Sequence, residues 1–170
     1  IRTIMDFPKK GIHFRDVTTL FRDAQGLKHT IDAFVEKYTG KGIHQVVGIE
    51  ARGFPLAGAV AYAIGAGFVP IRKTGKLPSL VERIAYNLEY REKDILEMHI
   101  DAIERGQNVL VLDDLLATGG TAGAACELVR RVEGNVVECA FVVDLPEVGG
   151  RRRLESLGHD VYSLVNFEGE

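Results

Sequence analysis

A mostly parallel β-sheet flanked by helices, an α/β architecture in one domain, is the fold class this sequence predicts, and three observations carry it. Short apolar runs rich in β-branched residues, Gln45-Val46-Val47-Gly48-Ile49, Val109-Leu110-Val111-Leu112 and residues 136–143, read as strands covered on both faces. Between them lie stretches whose apolar residues recur at helical spacing. Glycine-bearing turns with charged residues stand at the carboxyl ends of two runs, where open parallel sheets place their ligand crevice. At 170 residues, 46% of them hydrophobic, the chain is long enough for a real core and is most simply one domain, 1–170.

The elements follow in order. Residues 1–21 are turn-rich around Phe7-Pro8-Lys9-Lys10-Gly11. From 23 to 38, Leu27, Ile31, Phe34 and Val35 share a helical face, and Gly40-Lys41-Gly42 ends it. The strand at 45–49 leads through Glu50-Ala51-Arg52-Gly53-Phe54 into an Ala- and Gly-rich helix from about Pro55 to Ile64. Residues 67–72 form a short strand, and 73–85, KTGKLPSLVERIA, read as a long polar loop. Lys73, Lys76 and Arg83 would let that loop close over an anion as a lid. Residues 87–90 and 95–98 look like hairpin arms, and 102–106 like a short helical turn. A helix over 121–132 has Ala122, Ala125, Cys126, Val129 and Val132 on one face. After the 136–143 strand, Arg151-Arg152-Arg153 opens a helix; with Glu155 nearby, it reads as a solvated face rather than a nucleic-acid patch. A last strand spans 161–165.

Two strand–turn–helix junctions carry chemistry. In VLVLDDLLATGGT (109–121), unpaired amides at the helix start and flexible glycines suit an anion. Asp113 and Asp114, placed where the strand should end, would repel phosphate, but their carboxylates match the hydroxyl donors of a ribose diol. The residues therefore fit a sugar-phosphate site, with the acids on the diol and the 117–121 amides and threonines on the phosphate. A capped junction with exposed acids is the competing account. The second junction, 50–53, offers Arg52 and the close backbone approach of Gly53; the competing account is a helix start whose Arg52 pairs with Glu50.

Several classes are excluded. A net charge of −3 argues against a general nucleic-acid binder. Gly65-Ala66-Gly67 precedes a strand and lacks the third glycine of a dinucleotide fingerprint, and no Walker A string occurs. Cys126 and Cys139 form no CxxC pair and read as small core residues in a reducing cytosol. No apolar run approaches the roughly 18 residues of a membrane span. A cytoplasmic protein is expected.

The complete string DDLLATGGT resembles the ribose-5-phosphate loop of type I phosphoribosyltransferases, in the wording of the adenine phosphoribosyltransferase family. FPKKGIHFRDVT resembles that family's amino-terminal hood, Glu50–Gly53 its ESRG segment, RKTGKLP its RKPGKLP lid, and Leu88-Glu89-Tyr90 its LEY segment. The resemblance implies a small hood (1–21), a flexible lid and a homodimer. It also implies transfer of phosphoribose from phosphoribosyl diphosphate to adenine, giving AMP and pyrophosphate. Mg²⁺ would be carried by substrate oxygens, with no direct protein ligand.

By the same resemblance Asp113, Asp114, Ala117, Thr118, Gly119, Gly120 and Thr121 hold the diol and 5-phosphate. Glu50, Ala51, Arg52, Gly53, Arg72 and Lys76 face pyrophosphate, and His13, Phe14, Arg15 and Leu145 the base. Arg52 and Lys76 act in catalysis, with Glu89 handling the base's ring-nitrogen proton. A cis peptide is implied at Glu50–Ala51. Lys10, Thr74, Ala51 and Arg91 depart from the family's Pro, Pro, Ser and Gly. Ala51 removes a hydroxyl contact, and Arg91 alters the charge beside Glu89. The alternatives are a phosphoribosyltransferase for another base and a non-catalytic regulator that senses phosphoribosyl diphosphate.

Overall fold

The computed structural model describes residues 1–88 and 91–168. Strands β1 (Arg2–Met5) and β2 (His13–Asp16) pair antiparallel as a two-stranded sheet, so the hood is a hairpin rather than a run of turns. Asp16 closes it: its carboxylate accepts the Thr18 hydroxyl at 2.7 Å and amide at 3.0 Å, and Arg2 Nε at 3.1 Å. Those partners, the Thr18 hydroxyl foremost, draw its pKa down to about 2. Helices α1 (Thr18–Arg22) and α2 (Ala24–Tyr38) follow, the second capped by Asp23, which accepts the Gly26 amide at 2.6 Å.

Next come β3 (Gln45–Ile49), α3 (Gly53–Ile64), β4 (Gly67–Lys73), β5 (Val81–Leu88), β6 (Arg91–His99) and β7 (Asn108–Leu116). Then come α4 (Gly120–Arg131), β8 (Asn135–Asp144), a 3₁₀ turn (Pro146–Val148), α5 (Gly150–Ser156) and β9 (Val161–Asn166). The main sheet has seven strands in the order β5-β6-β4-β3-β7-β8-β9. From β4 to β9 neighbours run parallel, and the β5–β6 hairpin adds an antiparallel edge.

Both faces of the parallel strands are covered, which is why they read as unbroken apolar runs. Alternation sends Val46, Leu110 and Leu112 to one face against Phe34, Leu56 and Val60. It sends Val47, Val109 and Val111 to the other, against Ala125, Leu128 and Val129 of α4. Cys126 and Cys139 are buried free thiols with their sulfurs 3.3 Å apart.

Several expectations need correction. Strand β7 continues through both aspartates to Leu116, because Asp113, Leu115 and Leu116 remain paired with β8. The polar loop is only 74–80 long: Val81 to Ala85 are zipped onto β6, so Arg83 belongs to a strand and not to a lid. Helix α3 begins at Gly53, with Pro55 in its first turn, where a missing N–H is harmless. Residues 102–106 make turns without a helix. Arg151 is not part of a solvated face, since its side chain is tied to buried Asp144.

Candidate active site

Above the carboxyl ends of β3 and β7 lies a cleft of about 820 Å³, lined on one side by Glu50, Ala51, Arg52 and Lys76. Asp113, Asp114 and residues 117–121 line the other side. Two strand ends thus bring together loops more than sixty positions apart in the chain.

The first loop is held by side chains. The Glu50–Ala51 peptide is cis, as expected. Glu50 accepts Arg72 Nε at 3.2 Å, the Lys73 amide at 3.1 Å and the Lys76 ammonium. Burial alone would raise its pKa; Lys76, the Lys73 amide and Arg72 outweigh that and hold it below the ordinary carboxylate value. Arg72 also donates to the Lys76 carbonyl at 3.3 Å, so it braces Glu50 and the 74–80 turn rather than lining the cleft. Arg52 does not pair with Glu50. It crosses the cleft, placing Nε 2.5 Å from Asp114 Oδ2. Gly53 must be small, because a Cβ there would stand 2.8 Å from Asp113 Oδ1.

The second loop is held by the main chain. Gly119, at φ +74°, turns β7 into α4, and no side chain caps that helix start. Its amides are therefore unoccupied by a cap and suit an anion. Beneath them the Asp114 amide donates to Asp113 Oδ1 at 2.9 Å. Burial, then the neighbouring Asp114 charge, pushes the Asp113 pKa well above the ordinary value, which favours its protonated form.

Other predicted residues sit farther out. The guanidinium of Arg52 lies 5.2 Å from the Phe14 ring centroid, and Phe14 packs edge-on to Phe7 at 5.2 Å. Phe14 therefore reaches the site through Arg52. His13 and Arg15 share β2 but do not line the cleft; Arg15 donates to Thr3 Oγ1 at 2.6 Å and lies 4.9 Å from the Phe167 ring centroid. The hood's own contribution to the wall is Pro8. Leu145 is 4% exposed and packed in the core, not on the cleft. Glu89 falls outside the described residues.

Other residues went unseen in the sequence. Tyr86 and Asp94 face each other across the β5–β6 pair and both line the cleft; Asp94 also pairs with Lys73 at 3.1 Å. Burial raises the Tyr86 pKa, while a bond to Thr121 pulls the other way. Glu97, 1% exposed, accepts the Thr74 hydroxyl at 2.8 Å, the Gly75 amide at 2.9 Å and Arg83 at 2.8 Å, pinning the 74–80 turn to the sheet. The strand register that gathers these groups is not visible in local sequence. A carboxylate within an otherwise apolar Leu96–Met98 stretch is the one signal for Glu97.

Residues 17–163 match the family model described as phosphoribosyl transferase domain, so the cleft between these two loops, over a pair of strand-borne aspartates, is that of a sugar-phosphate transferase of parallel-sheet type. An adenine phosphoribosyltransferase from Paracoccus denitrificans is 57% identical across 99% of this chain and 90% of its own length. The crystal structure of adenine phosphoribosyltransferase from Thermoanaerobacter pseudethanolicus superposes with a TM-score of 0.93 at 43% identity, covering 98% of this chain and 95% of that one. That from Saccharomyces cerevisiae, complexed with adenine and an imino-altritol bisphosphate, gives a TM-score of 0.89 at 39% identity, covering 96% and 93%. The chain belongs to the phosphoribosyltransferase family, among the adenine phosphoribosyltransferases.

Proposed function

We propose that this chain transfers the 5-phosphoribosyl group of phosphoribosyl diphosphate to adenine, releasing pyrophosphate and AMP. The observation that carries this is the uncapped α4 start standing over Asp113 and Asp114, with Arg52 and Lys76 opposite. In the cleft Arg52 is paired to Asp114 and Lys76 to Glu50. A diphosphate draws those cations to itself, which leaves the Asp114 carboxylate to accept a ribose hydroxyl and Glu50 to its bonds from Arg72 and the Lys73 amide. Substrate binding is thus an exchange of partners, in which an anionic ligand replaces a carboxylate on each cation.

As the C1–O bond breaks, its electron pair leaves with pyrophosphate and positive charge grows on the ribose ring. Arg52 and Lys76 stabilise the leaving anion, while Asp113 and Asp114 face the ring. Residues 117–121 anchor the distant phosphate and spend that binding on alignment at C1. The adenine ring nitrogen then forms the new bond to C1, and its proton passes to Glu89, a role that rests on the family resemblance.

Mg²⁺ carried on the diphosphate is part of this proposal, since the ion retains waters and needs few protein ligands. Asp113 and Asp114 are the carboxylates that would accept its waters, and the ion would neutralise leaving-group charge.

A homodimer is proposed as well, on the strength of the family resemblance; light scattering would test it. No helix of the described residues is long and apolar enough to cross a membrane, and the free buried thiols favour a reducing cytoplasm.

The test is pyrophosphate release from phosphoribosyl diphosphate with adenine, hypoxanthine, guanine and orotate in parallel. Release with adenine alone is expected, and Asp113→Asn with Asp114→Asn should reduce it by at least about 100-fold without unfolding the chain. Release with another base would overturn the base assignment. Binding without release would replace the enzyme by a regulator.

A further inference from the structure

The loop that would hold the 5-phosphate does not stand alone. Its outer side rests on the first residue of α5: the Gly150 amide donates to the Ala117 carbonyl at 2.9 Å. The fit leaves no space. A Cβ on Gly119 would meet the Gly150 carbonyl oxygen at 2.9 Å, and a Cβ on Gly150 would meet Ala117 O at 2.2 Å and Gly119 N at 2.8 Å. The position of the loop therefore depends on the position of Gly150.

What fixes Gly150 is the next residue. Arg151 spreads its guanidinium over three acceptors: Nε to Asp144 Oδ2 at 2.7 Å, Nη1 to the Val161 carbonyl at 2.8 Å and Nη2 to Ser163 Oγ at 2.9 Å. These belong to the end of β8 and to β9, so one side chain ties the start of α5 to two sheet strands. Asp144 is fully buried, and its other carboxylate oxygen has no partner among the described residues. Arg151 thus supplies the compensating charge for a carboxylate that water does not reach. A planar fork can satisfy three acceptors at once, whereas an ammonium offers a point charge.

We propose that Arg151, held by Asp144, is a positioning residue for the 5-phosphate loop, acting through the Gly150–Ala117 contact without touching substrate. This rests on the assignment of residues 117–121 to the 5-phosphate. The expected signature is a selective one. Displacing Gly150 weakens binding at 117–121 and leaves the 50–53 side, where Arg72 and Lys76 hold Glu50, as it was.

The experiment is calorimetric titration of the full-length protein with ribose 5-phosphate and, separately, with inorganic pyrophosphate. Arg151→Met alone strands the Asp144 charge and risks unfolding, so the informative variants are Arg151→Lys and the charge-free pair Arg151→Met with Asp144→Leu. The paired variant should bind ribose 5-phosphate about tenfold more weakly, with pyrophosphate affinity within about twofold of the parent. Arg151→Lys, which restores the charge but not the fork, should fall between. In turnover, KM for phosphoribosyl diphosphate should rise while kcat at saturation stays near the parent value. Unchanged ribose 5-phosphate affinity in both variants overturns the inference, as does an equal loss for both ligands, the mark of general destabilisation. If the unaltered protein fails to bind ribose 5-phosphate, it is the assignment of the loop that falls.

Discussion

At residues 50–53 charge is handled by side chains, whereas at 117–121 the main chain does the work. Glu50 is held by Arg72, Lys76 and the Lys73 amide, and Arg52 is lodged on Asp114. The second loop has a left-handed Gly119, an uncapped helix start and small neighbours. Flexible paired cations can swing from carboxylate to a departing anion and back, which suits a group whose charge changes in the reaction. Fixed amides cannot reorganise, which suits a phosphate that must stay put while C1 moves.

The comparison can be broken most severely at the rigid loop. Gly119→Val forces a β-branched residue into φ +74° and drives a Cβ into the Gly150 carbonyl, so kcat/KM should drop by at least about 100-fold. Pyrophosphate binding should survive, and calorimetry with the two ligands separates these effects. Equal loss of both would mean that the loops are not independent.

A smaller effect is expected at the adaptable loop. Arg52→Met removes the leaving-group cation and strands Asp114, which is 4% exposed. Pyrophosphate affinity should fall by about tenfold, with ribose 5-phosphate binding nearly retained. Competitive inhibition by each ligand gives the two numbers directly, and a larger fall for ribose 5-phosphate would reverse the assignment of the loops.

The smallest effect sharpens the account of the aspartates. Because burial and Asp114 raise the Asp113 pKa, the folded chain keeps a proton that the unfolded chain loses at the ordinary carboxylate value. Stability from this group is full in acid and is lost as pH rises through the raised value. Asparagine has no such proton to lose. Asp113→Asn should therefore unfold at a higher urea concentration than the parent near neutral pH, with the gap closing as pH falls toward the ordinary value. A gap that widens in acid would show that Asp113 is stabilised as its carboxylate instead.

Much of this was legible because it is local. The β3 run was read with its bounds intact at Gln45–Ile49, since a strand buried on both faces needs no periodicity to be seen. The helix from Asp23 to Tyr38 carries its own stripe and cap. The DDLLATGGT loop is one continuous segment, so its residues meet because the chain makes them neighbours. Misreadings have a common cause. Arg83 was read as a lid residue and Arg151 as solvated because their acceptors, Glu97 for the first and Asp144, Val161 and Ser163 for the second, come from other strands. The hood hairpin was missed and the β5–β6 pair was shortened because these polar strands lack the continuous apolar signal.

By itself the sequence determined the class of fold and the two glycine-bearing strand–helix junctions with their acids, because propensity, glycine conformation and helix-end amides act within a few residues. Tertiary structure alone decided the pairing of those groups. It set Arg52 on Asp114 rather than Glu50, put Tyr86 and Asp94 on the wall, sank Leu145 into the core, laid Gly150 against Ala117 and tied Arg151 to Asp144. Strand order and register bring distant side chains within hydrogen-bond reach, and a buried charge takes whichever partner that geometry supplies.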